Sequence, residues 1–97
     1  MNLEFLPEAQ AELRAVADYY EDKQKGLGKR FSNEIVEACT MILAHPRLWR
    51  EREGGFRRVN CPVFPYYIAY CIRGESIVIA AIAHQSRIPD YWQSRLP

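Results

Sequence analysis

Phe64-Pro65-Tyr66-Tyr67-Ile68-Ala69-Tyr70-Cys71-Ile72-Arg73, then Gly74-Glu75-Ser76, then Ile77-Val78-Ile79-Ala80-Ala81-Ile82-Ala83: the alternation in this run sets the architecture of the chain. In its first part Tyr66, Ile68, Tyr70 and Ile72 fall on one face and Tyr67, Ala69, Cys71 and Arg73 on the other, the period of two that a strand requires. Ile77 to Ala83 is apolar on both faces, which predicts a central strand covered from both sides. Arg73 to Ser76 reads as a turn, so the two strands should pair as an antiparallel hairpin.

Upstream of Gly54-Gly55 the period changes. Phe56 to Val59 is still a short strand candidate, but Phe31, Ile35, Ala38 and Ile42 recur at helical spacing, with Val36, Cys39 and Leu43 beside them. His45-Pro46 ends that helix, because the residue before proline disfavours the α region. An earlier helix carries Ala9, Leu13, Val16, Ala17 and Tyr20 as its apolar stripe, with Gln10, Glu12, Arg14, Asp18 and Glu21 outside it. Pro7 suits its first position, Glu8 its positive first turn, and Gly26 its left-handed end. Leu3, Phe5 and Leu6 form a short first strand. The order β-α-α-β-β-β, with a short C-terminal tail from Ile88 to Pro97, predicts an α+β fold. A helical hairpin packs on one face of a small, mostly antiparallel sheet.

No repeat, linker or low-complexity run interrupts the 97 residues, so residues 1–97 should form one domain. Ile77 to Ala83 is far shorter than the roughly 20 residues of a membrane span, and the N-terminus lacks a basic-then-apolar signal, which predicts a cytoplasmic chain without membrane contact. Three cysteines without a Cys-x-x-Cys pair point to reduced structural thiols, with no metal site and no cofactor. Net charge is +1, too small for a protein that grips many phosphates. Charge is nonetheless uneven: residues 1–25 hold six acids against three bases, and residues 47–58 hold five arginines against two glutamates. Arg47, Arg50 and Arg52 alternate with Glu51 and Glu53 around Trp49, a pattern that reads as a solvated loop.

Taken in order, these residues resemble the RelE/ParE toxin superfamily, and its ParE-like branch more closely. The resemblance rests on Ala11-Glu12-Leu13, Tyr19-Tyr20-Glu21, Gly26-Leu27-Gly28 and Arg30-Phe31 in the helical hairpin. In the sheet it rests on Phe56-Arg57-Arg58-Val59, Phe64 to Tyr70, and Ile79 to His84 followed by Arg87. It implies the toxin of a type II toxin–antitoxin pair, with a cognate antitoxin as partner. It also implies one of two targets: DNA gyrase, poisoned without any cutting by the toxin, or the ribosome and mRNA, cleaved by a metal-independent endoribonuclease.

Metal-free RNA cleavage needs a base for the 2′-hydroxyl, a cation for the phosphorane and an acid for the leaving oxygen. Arg57, Arg58, Tyr67, His84, Arg87 and Tyr91 are the available groups, and Arg58, His84, Arg87 and Tyr91 form the catalytic set of that reading. The RelE-type pattern has an arginine three residues before the third-strand tyrosine, where this chain has Tyr67. Every lysine, moreover, lies at or before position 29. Both departures favour the gyrase reading. His84 has a second role open to it, as a strand-end histidine hydrogen-bonded to a neighbouring loop. Arg58 shares a face with Phe56, so Arg57 should project into solvent. Under the gyrase reading the tail residues Arg87, Tyr91, Trp92 and Arg95 supply the target contact, since interfaces favour cations and aromatics. Tyr91 and Trp92 either project for that purpose or fold back over the sheet.

Overall fold

Chain chemistry and tertiary packing agree on the order of elements. The computed structural model describes the backbone of residues 1–97 and every side chain except those of Pro89 and Asp90. Strand β1 (Asn2–Phe5) leads into helix α1 (Pro7–Lys23), which Pro7 opens and whose first turn carries Glu8. Helix α2 (Leu27–Ala44) follows after three residues. Gly26 takes the left-handed conformation (φ 88°) that lets the chain reverse there. Glu21 caps the turn: its carboxylate accepts the Gly26 N–H at 2.8 Å and the Gly28 N–H at 3.0 Å. These donors lie at the start of α2, where backbone N–H groups have no partner within the helix. Gly28 also lets the two helices approach closely, for a Cβ there would stand 2.3 Å from the Ala17 carbonyl oxygen.

Strands β2 (Arg57–Asn60), β3 (Tyr66–Arg73) and β4 (Ser76–His84) complete a four-stranded sheet of order β1-β4-β3-β2. β2, β3 and β4 are antiparallel neighbours, while β1 lies parallel to β4. The expected hairpin of β3 and β4 is present, and β4 is central. A 3-10 segment, η1 (Pro89–Arg95), ends the fold. Among the described residues no helix is long and apolar enough to cross a membrane.

The two sheet faces are filled differently. Ile68, Tyr70, Ile77, Ile79 and Ile82 meet Ala9, Phe31, Ile35 and Ile42 from the helices. Tyr67, Ala69, Ala80, Ala81 and Ala83 meet Phe56 and Trp92 on the other face. The predicted double cover of β4 is therefore real, and the tail supplies half of it.

One irregularity re-aims the end of β4. Ala69 pairs with Ala81 but Tyr70 pairs with Ile79, so Ala80 is an extra residue in that strand. This β-bulge places Ala80 and Ala81 on the same face and turns over every later side chain of β4. His84, which strict alternation from Ile77 would put on the Trp92 face, instead meets Tyr66 on the helix face, with ring centroids 5.0 Å apart.

Candidate functional site

β1 ends its pairing at Phe5↔Ile79, so β4 runs on beyond it with an unpaired edge. Such an edge presents bare N–H and C=O groups. Glu12 and the C-terminal segment close it. Glu12, on the sheet side of α1, accepts the Ile82 N–H at 3.1 Å. Its two oxygens also accept Arg95 Nη1 at 3.0 Å and Arg95 Nη2 at 3.2 Å, a two-point ion pair. Arg95 Nη1 reaches the Ala80 carbonyl at 3.1 Å, satisfying the bulged residue. The Tyr91 hydroxyl donates to Glu12 Oε2 at 2.8 Å. Burial, and then this bond to a carboxylate, hold the Tyr91 phenol well above the usual tyrosine range, so it stays protonated.

Beside this knot lies a cleft of about 230 Å³ lined by Glu12, Val16, Tyr66, Ile82, His84, Arg87 and Tyr91 among others. The Arg87 guanidinium is exposed and stacks 3.9 Å above the Tyr91 ring, while that of Arg95 stands 5.2 Å from the same ring. His84 Nδ1 accepts the Ser86 N–H at 3.0 Å, so a neutral imidazole carries its proton on Nε2. The Ser86 hydroxyl lies 2.8 Å from the same nitrogen. This is the strand-end histidine bonded to a loop.

His84, Arg87 and Tyr91 are thus brought together, as the tail of the chain suggested. Arg58 is not. It stacks 3.8 Å over Tyr67 on the opposite face of the sheet and donates to Asn60 Oδ1 at 3.0 Å. Tyr67 is buried there, its hydroxyl 2.9 Å from Trp92 Nε1. Two expectations about exposure need correction. Trp92 does not stand on a contact surface: it is 0% exposed, because the small residues Ala69, Ala81 and Ala83 leave room for an indole that would otherwise remain wet. Arg57 does not project freely either. The loop after α2 folds back over it, so Arg57 is half-buried and donates to the Trp49 carbonyl, while Tyr70 donates to that of Pro46. Arg95, expected among the target contacts, is half-buried with its guanidinium turned toward Glu12 and Ala80.

Glu12 is the residue that sequence reading missed. It sits outside the apolar stripe of α1, where a carboxylate normally faces solvent, and its partners lie 70 and more residues away. Only its place in Ala11-Glu12-Leu13 marked it.

A second feature lies across the hairpin. Leu3, Phe5, Leu13, Ile35, Val36, Cys39, Thr40 and Leu43 line an almost wholly apolar groove of about 280 Å³ between β1 and α2. Val36 is 61% exposed and Leu43 44%, so the flanking row of α2 stays largely uncovered.

Comparison with known proteins gives these features a context. The family model described as the ParE toxin of the type II toxin-antitoxin system, parDE, matches residues 3–89. A solved structure of the chromosomal ParDE TA system from P. aeruginosa has a chain that superposes with a TM-score of 0.76 at 24% identity, covering 87% of this chain and 95% of that one. That likeness is one of fold. Among curated proteins, none matches the sequence at a significant level.

Proposed function

The chain belongs to the ParE toxin family and is the toxin component of a type II toxin–antitoxin system; from that premise we propose that it arrests growth by poisoning DNA gyrase and is neutralised by a cognate antitoxin. The observation that favours the gyrase reading is that Arg58 stands apart from the other groups that RNA cleavage would need. Arg58 lies on one face of the sheet, and His84 and Arg87 lie on the other. Tyr91 points its proton at Glu12. A phosphate seated near His84 could not be met by Arg58, and Tyr91 could serve as acid only by giving up that bond.

Arg87 and Tyr91, with Arg95 behind them, form the target-contact surface in this reading. The antitoxin lies elsewhere, with an apolar segment seated in the groove between β1 and α2. Val36→Glu tests the second site cheaply, because Val36 is too exposed to support the core. It should weaken antitoxin binding by about tenfold or more, the size of one lost apolar anchor, and leave growth arrest intact.

Induction of the toxin without antitoxin, with pulse-labelling of new DNA and new protein over the first minutes, tests the target. Early loss of thymidine incorporation with translation continuing supports gyrase, and purified gyrase should then lose supercoiling activity. Early loss of amino-acid incorporation with DNA synthesis continuing would mean mRNA cleavage and overturn the proposal.

A further inference from the structure

Four donors converge on one carboxylate: the Ile82 amide, the Tyr91 hydroxyl and both terminal nitrogens of Arg95. They come from a strand and from the tail, while Glu12 itself comes from α1. We infer that Glu12 is a positioning residue, fixing the C-terminal segment across the unpaired edge of β4 and thereby setting where Arg87 and Tyr91 stand. This rests on the assignment of Arg87 and Tyr91 to the target surface, and adds to it a residue that touches no target.

Three features of the fold support this role. First, Tyr91 is held at both ends of its side chain. Its hydroxyl is tied to Glu12 at 2.8 Å, and its ring carries the Arg87 guanidinium at 3.9 Å. Moving the phenol moves the platform on which Arg87 rests. Second, the end of β1 at Ile79 and the bulge at Ala80 leave backbone groups on that edge of β4 without strand partners, and Glu12 and Arg95 take up one each. Losing Glu12 leaves a part-buried Ile82 N–H without its acceptor and a half-buried guanidinium with only the Ala80 carbonyl and no counter-charge, which favours an open, wetter tail. Third, the neighbour of Glu12 in the chain, Leu13, lines the apolar groove between β1 and α2 proposed for the antitoxin. Glu12 lines the cleft of the tail instead. Its carboxylate can therefore be removed without touching the groove.

Ordering matters because a contact arginine on a loose segment must be immobilised at binding, which costs side-chain entropy. A stacked guanidinium on a pinned ring has met part of that cost in the free protein. Trp92 anchors the back of the same segment through Phe56, 4.6 Å away between ring centroids, so the segment stays attached when the front is released.

The test compares Glu12→Ala with Arg87→Ala in the full-length chain, each purified with its antitoxin and then separated from it. Three quantities are read: exchange of the Ile82 amide proton by NMR, the induction level that gives half-maximal growth arrest, and affinity for the antitoxin. Glu12→Ala should speed Ile82 exchange and raise the required induction level, each by about tenfold or more, the equivalent of about 1.4 kcal/mol. Antitoxin affinity should stay within about twofold. Unchanged exchange would show that Glu12 holds no such bond in solution and would overturn the inference. Faster exchange with undiminished arrest would also overturn it, as would a parallel fall in antitoxin affinity, the mark of a general structural role. Arg87→Ala separates the two readings. Arrest that survives Arg87→Ala overturns the target surface and the inference with it, whereas arrest lost in Arg87→Ala but kept in Glu12→Ala overturns the inference alone.

Discussion

Trp92→Ala should unfold the molecule at a markedly lower temperature, and the size of the drop comes from the contacts. The indole is fully buried, meets Phe56 edge to face at 4.6 Å, and donates to the Tyr67 hydroxyl at 2.9 Å. Truncating a buried aromatic to alanine costs about 3–5 kcal/mol through lost transfer energy and the cavity left behind. The Tyr67 hydroxyl would lose a buried partner at the same time, and the site cannot collapse easily, because the methyl groups of Ala69, Ala80, Ala81 and Ala83 beneath it cannot reach into the gap. In a domain of this size each kcal/mol lowers Tm by about 4–8 °C, so the expected loss is about 12–40 °C. Trp92→Phe keeps one aromatic ring but removes the N–H donor and part of the buried ring volume, and should cost less, about 1–3 kcal/mol. Thermal unfolding followed by circular dichroism, with urea titration as a check, measures both. A loss below about 1 kcal/mol for Trp92→Ala would refute the packing argument, since it would mean that the tail contributes no core. The same reasoning bars Trp92 variants from any test of target binding, because lost toxicity would result from lost folding.

Other outcomes depend on single contacts. Gly28→Ala should cost about 1–3 kcal/mol, because its Cβ would strike the Ala17 carbonyl and force the helical hairpin apart. Gly26→Ala, in open space but at φ 88°, should cost only about 1 kcal/mol, and urea unfolding of the pair separates clash from strain. Glu34→Ala should cost about 1 kcal/mol in the same assay, since its carboxylate accepts the Val63 N–H at 3.1 Å and the Phe64 N–H at 3.4 Å in the loop between β2 and β3. Burial pushes the thiols of Cys39 and Cys61 up to about 11 from a usual value near 9. The fold therefore holds these protons more tightly than the unfolded chain does, so their contribution is complete below pH 9 and lost as pH rises toward 11. Urea unfolding across that range should weaken less steeply in a Cys39→Ala, Cys61→Ala double variant than in the parent.

Local pattern settled much of this protein. Period two in Tyr66 to Arg73, period 3.6 in both helices and the apolar run of β4 are statements about which faces must leave water, and they settle element order, the hairpin and the doubly covered centre. Ordered motifs placed the chain near its family. What local pattern could not settle is where the ends of the chain meet the middle. The bulge at Ala80 depends on how β4 pairs with β3 and where β1 stops, and it alone turns His84 toward the helices. Glu12 looks like a solvated helix residue until Ile82, Tyr91 and Arg95 arrive from the far end of the chain. Trp92 and Tyr91 are adjacent on a short segment, yet one plugs the back of the sheet and the other stands at its front. Each of these is a contact between groups distant in sequence, satisfied only when a backbone edge or a gap above small residues already exists. Periodicity carries burial, which is local. Pairing at an edge, and the direction in which a polar group then points, belongs to the tertiary structure.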